Sequence, residues 1–410
     1  MTMPRPNGRF DTVVEGITGV QPDIPALWSY SSLTTLERCP RRWILERADY
    51  PELWDRPGYP SVPIRAAVFG SIVHLIIQRI SDAIGVTDDA VAPLTIVDVL
   101  HALGGWAQIA EASVDEALAD FDSNPRVSQA ALDRLRDDLV RRLPDAVDQV
   151  KLLLRNPSSI AARVRPAPAS RSAVPDAPRG PARSGTHIER TVTIEDLRLT
   201  GRIYRLSIDE VDVTITDFKT GAEHGEHDDQ VRLYALLWRF DEFTNPMGRP
   251  ATRLSIAYPS HERAVPVPDA QETLALYEST EERIAAADAT VMSASPTALP
   301  SAKTCQFCQV KHLCDAYWAS VPPPITSAPP DEWFDMAGRV SRRNGSRSWV
   351  FETLDQSELE VVVRTVETDV PFPVGRRVRL LGVRRSVDPH APERLVISLS
   401  TASEWYPLRD

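Results

Sequence analysis

The clearest alternation of apolar and polar positions lies between Gly201 and Gly221. Arg202 to Ile208 and Val211 to Phe218 alternate on either side of the acidic turn Asp209-Glu210, which is the pattern of a β-hairpin. His187 to Ile194 and Arg253 to Tyr258 read as further strands. Helical spacing governs much of the remainder. Leu33, Leu36 and Trp43 recur at helical intervals after Trp28-Ser29-Tyr30, with Ser31 or Ser32 as the expected cap. Ala66 to Ile80 predicts a second helix, and Thr95 to Leu154 two or three amphipathic helices, the first broken at Gly104-Gly105. A helix opening at Gln230 carries its apolar face at Leu233, Leu236 and Leu237, and another covers Gln271 to Met292. Residues 1–26 read as a loose polar lead-in, and residues 156–185, rich in Pro, Ala, Ser and Arg, as a flexible loop.

The pattern changes after residue 326. Gly338-Arg339-Val340, Ser348 to Thr353, Glu358 to Val366, Arg376 to Val383 and Arg394 to Ser400 are five short β-like runs, punctuated by Gly375 and Gly382. Five strands in so short a stretch predict a small Greek-key barrel, OB-like, with an SH3-like barrel as the alternative. Trp349, Phe351, Arg376, Arg377 and Arg379 are its candidates for stacking on and neutralising single-stranded nucleic acid.

The second hairpin strand ends in Asp217-Phe218-Lys219. Side chains two residues apart on a strand share a face, so the carboxylate and the amine enter one space. That pair suits phosphodiester hydrolysis, the carboxylate holding Mg²⁺ or Mn²⁺ and the lysine orienting water or stabilising charge. A solvated ion pair at a strand end has the same appearance. Gly70 and His74 lie one turn apart on the second helix, where a glycine admits close approach of another backbone or a ligand.

Four cysteines occur, Cys39 in Glu37-Arg38-Cys39-Pro40 and three in Cys305-x2-Cys308-x5-Cys314. A four-thiolate site for an iron–sulfur cluster or zinc is the stronger reading over a disulfide framework. The 410 residues allow two or three domains, and 42% hydrophobic residues supply a substantial core. A formal charge of −11 gives no general basic footprint, though a local basic groove can sit on an acidic protein. No run of about 20 apolar residues and no apolar core in the opening MTMPRPNGRF suggests a membrane span or signal peptide, so a cytoplasmic location and no membrane partner are the expectation.

Taken together, these motifs resemble the PD-(D/E)XK nucleases of the RecB type, closest to the iron–sulfur subgroup that includes CRISPR-associated RecB-like exonucleases and the AddB nuclease domain. The resemblance spans roughly residues 28–318. It implies an α/β, restriction-endonuclease-like core, a central mixed sheet flanked by helices. In that family the Gly-x-x-x-His helix, here Gly70 to His74, supplies a metal ligand. The strand-ending acid-x-Lys is matched by Asp217-Phe218-Lys219, with the Phe218 carbonyl a further ligand. Gln-x-x-x-Tyr is matched by Gln230 and Tyr234, which position the active site and DNA. One cysteine upstream and three downstream, here Cys39, Cys305, Cys308 and Cys314, hold a structural 4Fe–4S cluster in that family. Such a staple would close the nuclease core into one ring.

One motif departs from the family. Its first acid normally follows Gly-Arg-Ile, and this chain has Gly201-Arg202-Ile203-Tyr204. A phenol stays protonated at neutral pH and is no substitute for a carboxylate on a hard cation. Either a carboxylate has migrated, with Glu189 the candidate and Asp209, Glu210 or Asp212 less well aimed, or the fold is retained for DNA binding or assembly without chemistry. The resulting expectation is a lead-in over 1–26, a RecB-like nuclease domain over 27–320 and an OB-like barrel over 326–410. Its activity would be Mg²⁺- or Mn²⁺-dependent hydrolysis of DNA, single-stranded or end-containing, in repair or defence. The chain has no G-x-x-x-x-G-K-[ST] loop, so unwinding would fall to a separate helicase partner.

Overall fold

The computed structural model describes residues 9–11, 18–84, 96–154, 180–328, 332–354, 359–368, 370–388, 391 and 394–409. Most of the segment 156–185 read as a flexible loop, residues 156–179, lies outside them. The stretch read as a loose lead-in carries a small antiparallel ribbon, β1 (Arg9–Asp11) with β2 (Thr18–Val20). Val20 bridges to Asp49, and Gln21 Nε2 donates to the Val291 carbonyl at 2.6 Å.

Two short helices follow, α1 (Tyr30–Arg38) and α2 (Pro40–Arg47). The cap is Ser29, whose side chain accepts from Ser32 N, rather than Ser31 or Ser32. Cys39 separates the helices in an extended conformation. Pro40 explains the break, because the residue before a proline is pushed out of the helical region while proline itself suits a first helical turn. The helical layer then comprises α3 (Arg65–Ile84), α4 (Ile96–Ala102), α5 (Gly105–Ala119), α6 (Gln129–Arg141) and α7 (Leu143–Leu154). Two or three helices were expected after residue 95 and four are present. Pro144, without an N–H to donate, starts a new helix where the apolar pattern alone runs on. Within α3, Arg65–Ala83 is long and apolar enough, by length and composition alone, to cross a membrane. Val68, Ile72, Ile76 and Ile80 form the core of this layer with Val114 and Val150, which accounts for that apolarity.

The sheet is built from β3 (Gly185–Ile194), β4 (Leu199–Ile208), β5 (Val213–Phe218), β6 (Arg253–Ala257) and β7 (Glu262–Val265), in spatial order β3-β4-β5-β6-β7, and α8 (Glu226–Phe240) falls between β5 and β6 in the chain. The β4–β5 hairpin is present as the alternation predicts, with Ile208 opposite Val213. β5 and β6 run parallel, and α8 makes the crossover between them. The unforeseen β7 is too short and charged to show an alternating pattern. One apolar core joins this sheet to α8, to α1 and to α9 (Ala270–Val291). Gly201 lets α8 sit close to the sheet there, since a Cβ would lie 2.6 Å from Leu237 Cδ1 and make that side chain shift.

The cysteine segment contains α10 (Ala302–Cys305), a 3₁₀ turn (Lys311–Leu313) and α11 (Asp315–Ser320). Beyond it, β8 (Trp333–Gly345), β9 (Ser348–Thr353), β10 (Glu360–Arg364), β11 (Arg377–Val387) and β12 (Leu395–Pro407) close a five-stranded barrel. All neighbours are antiparallel except β10 and β12. The nucleic-acid role expected of Trp349, Phe351 and Arg379 does not survive their burial. Trp349 and Phe351 are buried in the barrel core with Phe372. Arg379 is buried against the His312 carbonyl and Asp315. Arg376 and Arg377 donate to the carbonyls of Leu408 and Arg409.

Barrel and core meet around His312, which is fully buried. His312 Nε2 and Tyr59 Oη share a hydrogen bond of 2.6 Å, and the imidazole stacks on Tyr406 with centroids 3.9 Å apart. Arg126 grips Glu404 with two nitrogens and donates to the carbonyls of Pro60 and Gln309. Lys311 and Tyr317 both reach Asp335, each at 2.6 Å. Burial, followed by the charges of Arg126, Arg379 and Lys311, holds the His312 imidazole well below its ordinary range. The folded chain therefore keeps this ring neutral while the unfolded chain takes up a proton below pH ~6.5. Stability from this group is present above that pH and falls as the pH drops, by up to about 1.4 kcal/mol per pH unit. In urea melts at pH 7.5 and 5.5, the parent should lose about 1 kcal/mol more on acidification than His312→Gln.

Candidate active site

Asp217 and Lys219 leave the end of β5 into a cleft of about 400 Å³. The β4–β5 ladder stops at Arg205 opposite Thr216, so the next residues in register, Tyr204 and Asp217, lie where the strands part. Lys219 N donates to the Ala257 carbonyl at 2.9 Å and continues the β5–β6 pairing. The site therefore sits on a paired strand to one side and an opening to the other.

Lys219 Nζ lies 2.8 Å from Asp217 Oδ2. That oxygen is buried and lacks an aligned hydrogen bond, so the contact is an ion pair without good donor geometry. Lys219 Nζ donates to Gln230 Oε1 at 2.6 Å, and Gln230 Nε2 donates to Tyr234 Oη at 2.7 Å. Gln230 and Tyr234 are one turn apart on α8, so a single helix face fixes the lysine. The Tyr234 phenol is pushed up by burial and then by the Asp217 charge, and stays a neutral hydroxyl.

Glu189 enters the same cleft from β3. Ile188 pairs with Arg205 and Arg190 with Ile203, which puts Glu189 directly across from Tyr204. Its φ of 54° is left-handed, a conformation a glutamate adopts at a cost of about 1–2 kcal/mol. Arg202 Nη1 holds Glu189 Oε2 at 3.1 Å, and His74 Nδ1 lies 3.8 Å from Oε1. Strained non-glycine residues concentrate at functional sites. His74 reaches the cleft from α3, where Gly70 makes room, since a Cβ there would be 3.1 Å from Thr220 Oγ1.

Tyr204 fills the middle. Its ring packs edge-on against His74 and Phe218, with centroids 4.5 and 4.4 Å away. Its hydroxyl is buried without a partner. Burial, then the charges of Glu189 and Asp217, raise the phenol well above its usual range. Phe218 lines the cleft with its ring between Tyr204 and the Arg205 guanidinium. Asp209 caps its own turn by accepting from Val211 N and Asp212 N, and Asp212 pairs with Arg253. Neither of them, nor Glu210, lines the cleft.

Sequence reasoning missed Arg202, His224 and His227 on the cleft wall. His227 Nδ1 and Tyr258 Oη share a hydrogen bond of 2.8 Å. Burial and then Lys219 and His224 lower its pKa, favouring the neutral ring. The available signal was helical spacing, since His227, Gln230 and Tyr234 fall at i, i+3 and i+7 of α8.

Among the described residues, no three His, Cys, Asp or Glu side chains are already gathered into a metal-holding group. The donor chemistry nonetheless fits a hard divalent cation. His74, Glu189 and Asp217 line one cleft, and the buried Asp217 Oδ2 lacks an aligned donor. Cys39, Cys305, Cys308 and Cys314 are free thiols that line a separate small cavity with Arg41 and Lys311. Burial pushes Cys308 up to about 12 and raises Cys314 as well. The four thiols share one cavity wall without being gathered into a metal-holding group, and their donor chemistry suits a thiophilic metal, whose charge would favour the thiolates.

A family model described as the PD-(D/E)XK nuclease superfamily matches residues 27–315. The chain belongs to that superfamily. Its mixed sheet with flanking helices is consistent with the PD-(D/E)XK fold, and nucleases of the superfamily generally use Mg²⁺ or Mn²⁺. No curated protein matches it. Among solved structures, the crystal structure of the p204 HINb domain is 15% identical with a TM-score of 0.20, covering 28% of this chain and 56% of that one. The structure of a murine DNA binding protein bound with ds DNA is 8% identical with a TM-score of 0.20, covering 50% of this chain and 84% of that one. At that TM-score neither likeness carries an argument about this PD-(D/E)XK protein.

The strain at Glu189 has a measurable sign. Glu189→Gly should leave the protein as stable as the parent or gain up to about 1 kcal/mol, because glycine tolerates the left-handed backbone. Thr191→Gly, two residues along the same strand, should lose about 1 kcal/mol in the same urea melts.

Proposed function

We propose that this PD-(D/E)XK protein is a RecB-like, divalent-metal-dependent DNA nuclease whose cation is held by His74, Glu189 and Asp217, with the Phe218 carbonyl as a further ligand. The observation that carries the reading is the hydrogen-bonded line from Lys219 through Gln230 to Tyr234, beginning beside the buried Asp217 carboxylate. An amine so restrained is costly to order and has no packing role, whereas a phosphodiester needs fixed positive charge where negative charge develops. Glu189 takes the part of the acid for which Tyr204 is substituted. Its strained backbone, turned across from Tyr204, supports that assignment.

When bound, the divalent cation neutralises phosphate charge and makes water more acidic. Lys219 orients the attacking water and stabilises charge on the phosphoryl oxygens. Gln230 keeps the ammonium from swinging to solvent, and Tyr234 holds the Gln230 amide in the orientation that presents its oxygen to Lys219. The water oxygen forms the new bond to phosphorus as the bond to the leaving oxygen breaks, and one water proton passes through solvent to that leaving oxygen. His227 and Arg202, on the cleft wall, are suited to donate to flanking phosphates.

Three finer assignments belong to the same proposal. The four cysteines hold a structural 4Fe–4S cluster, supported by their convergence on one cavity from both ends of the core. The barrel is OB-like, supported by the order β8-β9-β10-β12-β11 with its parallel β10–β12 pair. The substrate is DNA with a single-stranded or frayed end, opened by a separate helicase. Tyr204 favours one competing reading, a DNA-binding or assembly module without chemistry.

An assay on single- and double-stranded DNA with Mn²⁺ or Mg²⁺ separates the two readings. The parent should cleave, and Lys219→Ala and Glu189→Gln should each lose about 10²-fold or more in rate. Gln230→Ala should lose less, about 10-fold, because the amine remains but wanders. Silence of the parent under every metal condition, with DNA binding intact, would replace the nuclease reading by the binding one.

A further inference from the structure

The sheet carries a second cavity, of about 770 Å³, and no residue lines both it and the catalytic cleft. Its floor follows from strand alternation. Leu206 and Ile208, Val213 and Ile215, and Leu254 and Ile256 belong to the apolar core shared with α8. The residues between them point to the opposite face. There Arg205 stands opposite Thr216, Thr216 beside Ser255, and Ser207 opposite Thr214. This part of the sheet is therefore surfaced with hydroxyls and one guanidinium, and offers no apolar seat for a helix.

Arg205 is the unusual member. It lines the cavity and is only 4% exposed. Its Nη2 donates to Thr216 Oγ1 at 2.9 Å, and its guanidinium lies 5.4 Å from the centre of the Phe218 ring. The only carboxylate paired with it among the described residues, Glu262, stands off at 3.8 Å. A guanidinium has five N–H donors, so those on Nε and Nη1 are left without a partner among the described residues. Burial lowers the pKa of Arg205, and the charge of Glu262 offsets this only in part. A buried cation so incompletely matched costs stability that an apolar side chain of similar length would not.

The neighbouring hydroxyls add to the surplus of donors. Thr216 Oγ1 and Ser255 Oγ share a hydrogen bond of 2.9 Å, and both residues are buried. Whichever oxygen donates, one hydroxyl proton of the pair has no acceptor among the described residues. The other charges around the cavity are already engaged. Asp209 accepts from Val211 N and Asp212 N, and Arg253 is paired with Asp212.

We propose that this cavity binds the phosphate group of a nucleotide-sized ligand, with Arg205 and the Thr216–Ser255 pair as its donors. Phosphate oxygens diverge, so one group can meet donors from β4 and from the β5–β6 pair together, whereas a planar carboxylate matches a single fork. The volume is that of an ordinary small-molecule site. A free mononucleotide and the backbone of a DNA strand both carry this chemistry. The site stands apart from the catalytic cleft and does not depend on the nuclease reading.

Isothermal titration calorimetry on the full chain, without added divalent metal, tests this with inorganic phosphate, thymidine, thymidylate and an oligothymidylate lacking terminal phosphates. The parent should bind thymidylate or the oligonucleotide, and thymidine should give no heat. Arg205→Met should weaken that binding about 10-fold or more, and Ser255→Ala about 3-fold. Lys219→Ala, which alters only the other cleft, should leave thymidylate binding unchanged. Thymidylate binding lost in Arg205→Met identifies a free nucleotide as the ligand. Oligothymidylate affinity lost in Arg205→Met, with thymidylate and phosphate silent, identifies the strand. Should Arg205→Met fail to fold, Ser255→Ala carries the same comparison. The proposal is overturned if none of the phosphate-bearing probes binds, if their binding is indifferent to both variants, or if thymidine binds as well as thymidylate.

Discussion

The site depends on where one hydrogen-bonded ladder stops. β4 and β5 pair until Arg205 meets Thr216, and there the strands part. On its other side β5 remains pinned to β6 up to Phe218 and beyond, through the Lys219 amide. One edge of β5 is thus rigid while the other is open, and the open edge is the cleft. Without the parallel β6 partner, the end of β5 would be a frayed hairpin tip. Without the parting from β4, Asp217 and Tyr204 would be an ordinary cross-strand pair with no room for a phosphate. Helix α8 exploits the arrangement by laying Gln230 and Tyr234 along the opening.

Much of this was legible in the sequence, and the reason is periodicity. A strand repeats every two residues, so Asp217 and Lys219 had to share a face once the hairpin was recognised. A helix repeats every 3.6, so Gln230 and Tyr234 had to do the same. The break at Cys39 could also have been read, since proline restricts the residue before it. Glu189 is different. As an acid near the motif it could be nominated, but its aim comes from a left-handed backbone that no glycine announces. Its direction follows from the surrounding ladder and not from local preference.

The barrel shows the opposite limit. Trp349, Phe351 and Arg379 looked like a stacking and charge-neutralising surface because alternation identifies two faces without saying which is inside. In a closed barrel the aromatic face turns inward, and the arginine serves the junction instead. Conversely, the cysteine segment was read for its thiols alone. Its intervening residues turn out to contact both halves of the chain, Val310 and Leu313 packing with Leu45 and Tyr50, and His312 lying against Tyr406. Spacing between cysteines identifies ligands, but it says nothing about what the residues between them are for.

The position of Leu408 has a consequence for how the two halves can be handled. It is buried with Leu45, Ala48, Tyr59 and Val310, so part of the barrel's last strand region completes an apolar pocket belonging to the core. A core severed after the cysteine segment would turn that pocket, and the stacked face of His312, toward water. The barrel is therefore a wall of the building rather than an annex. Dissecting the chain into halves would produce a sticky core whose failure to behave says nothing about its chemistry.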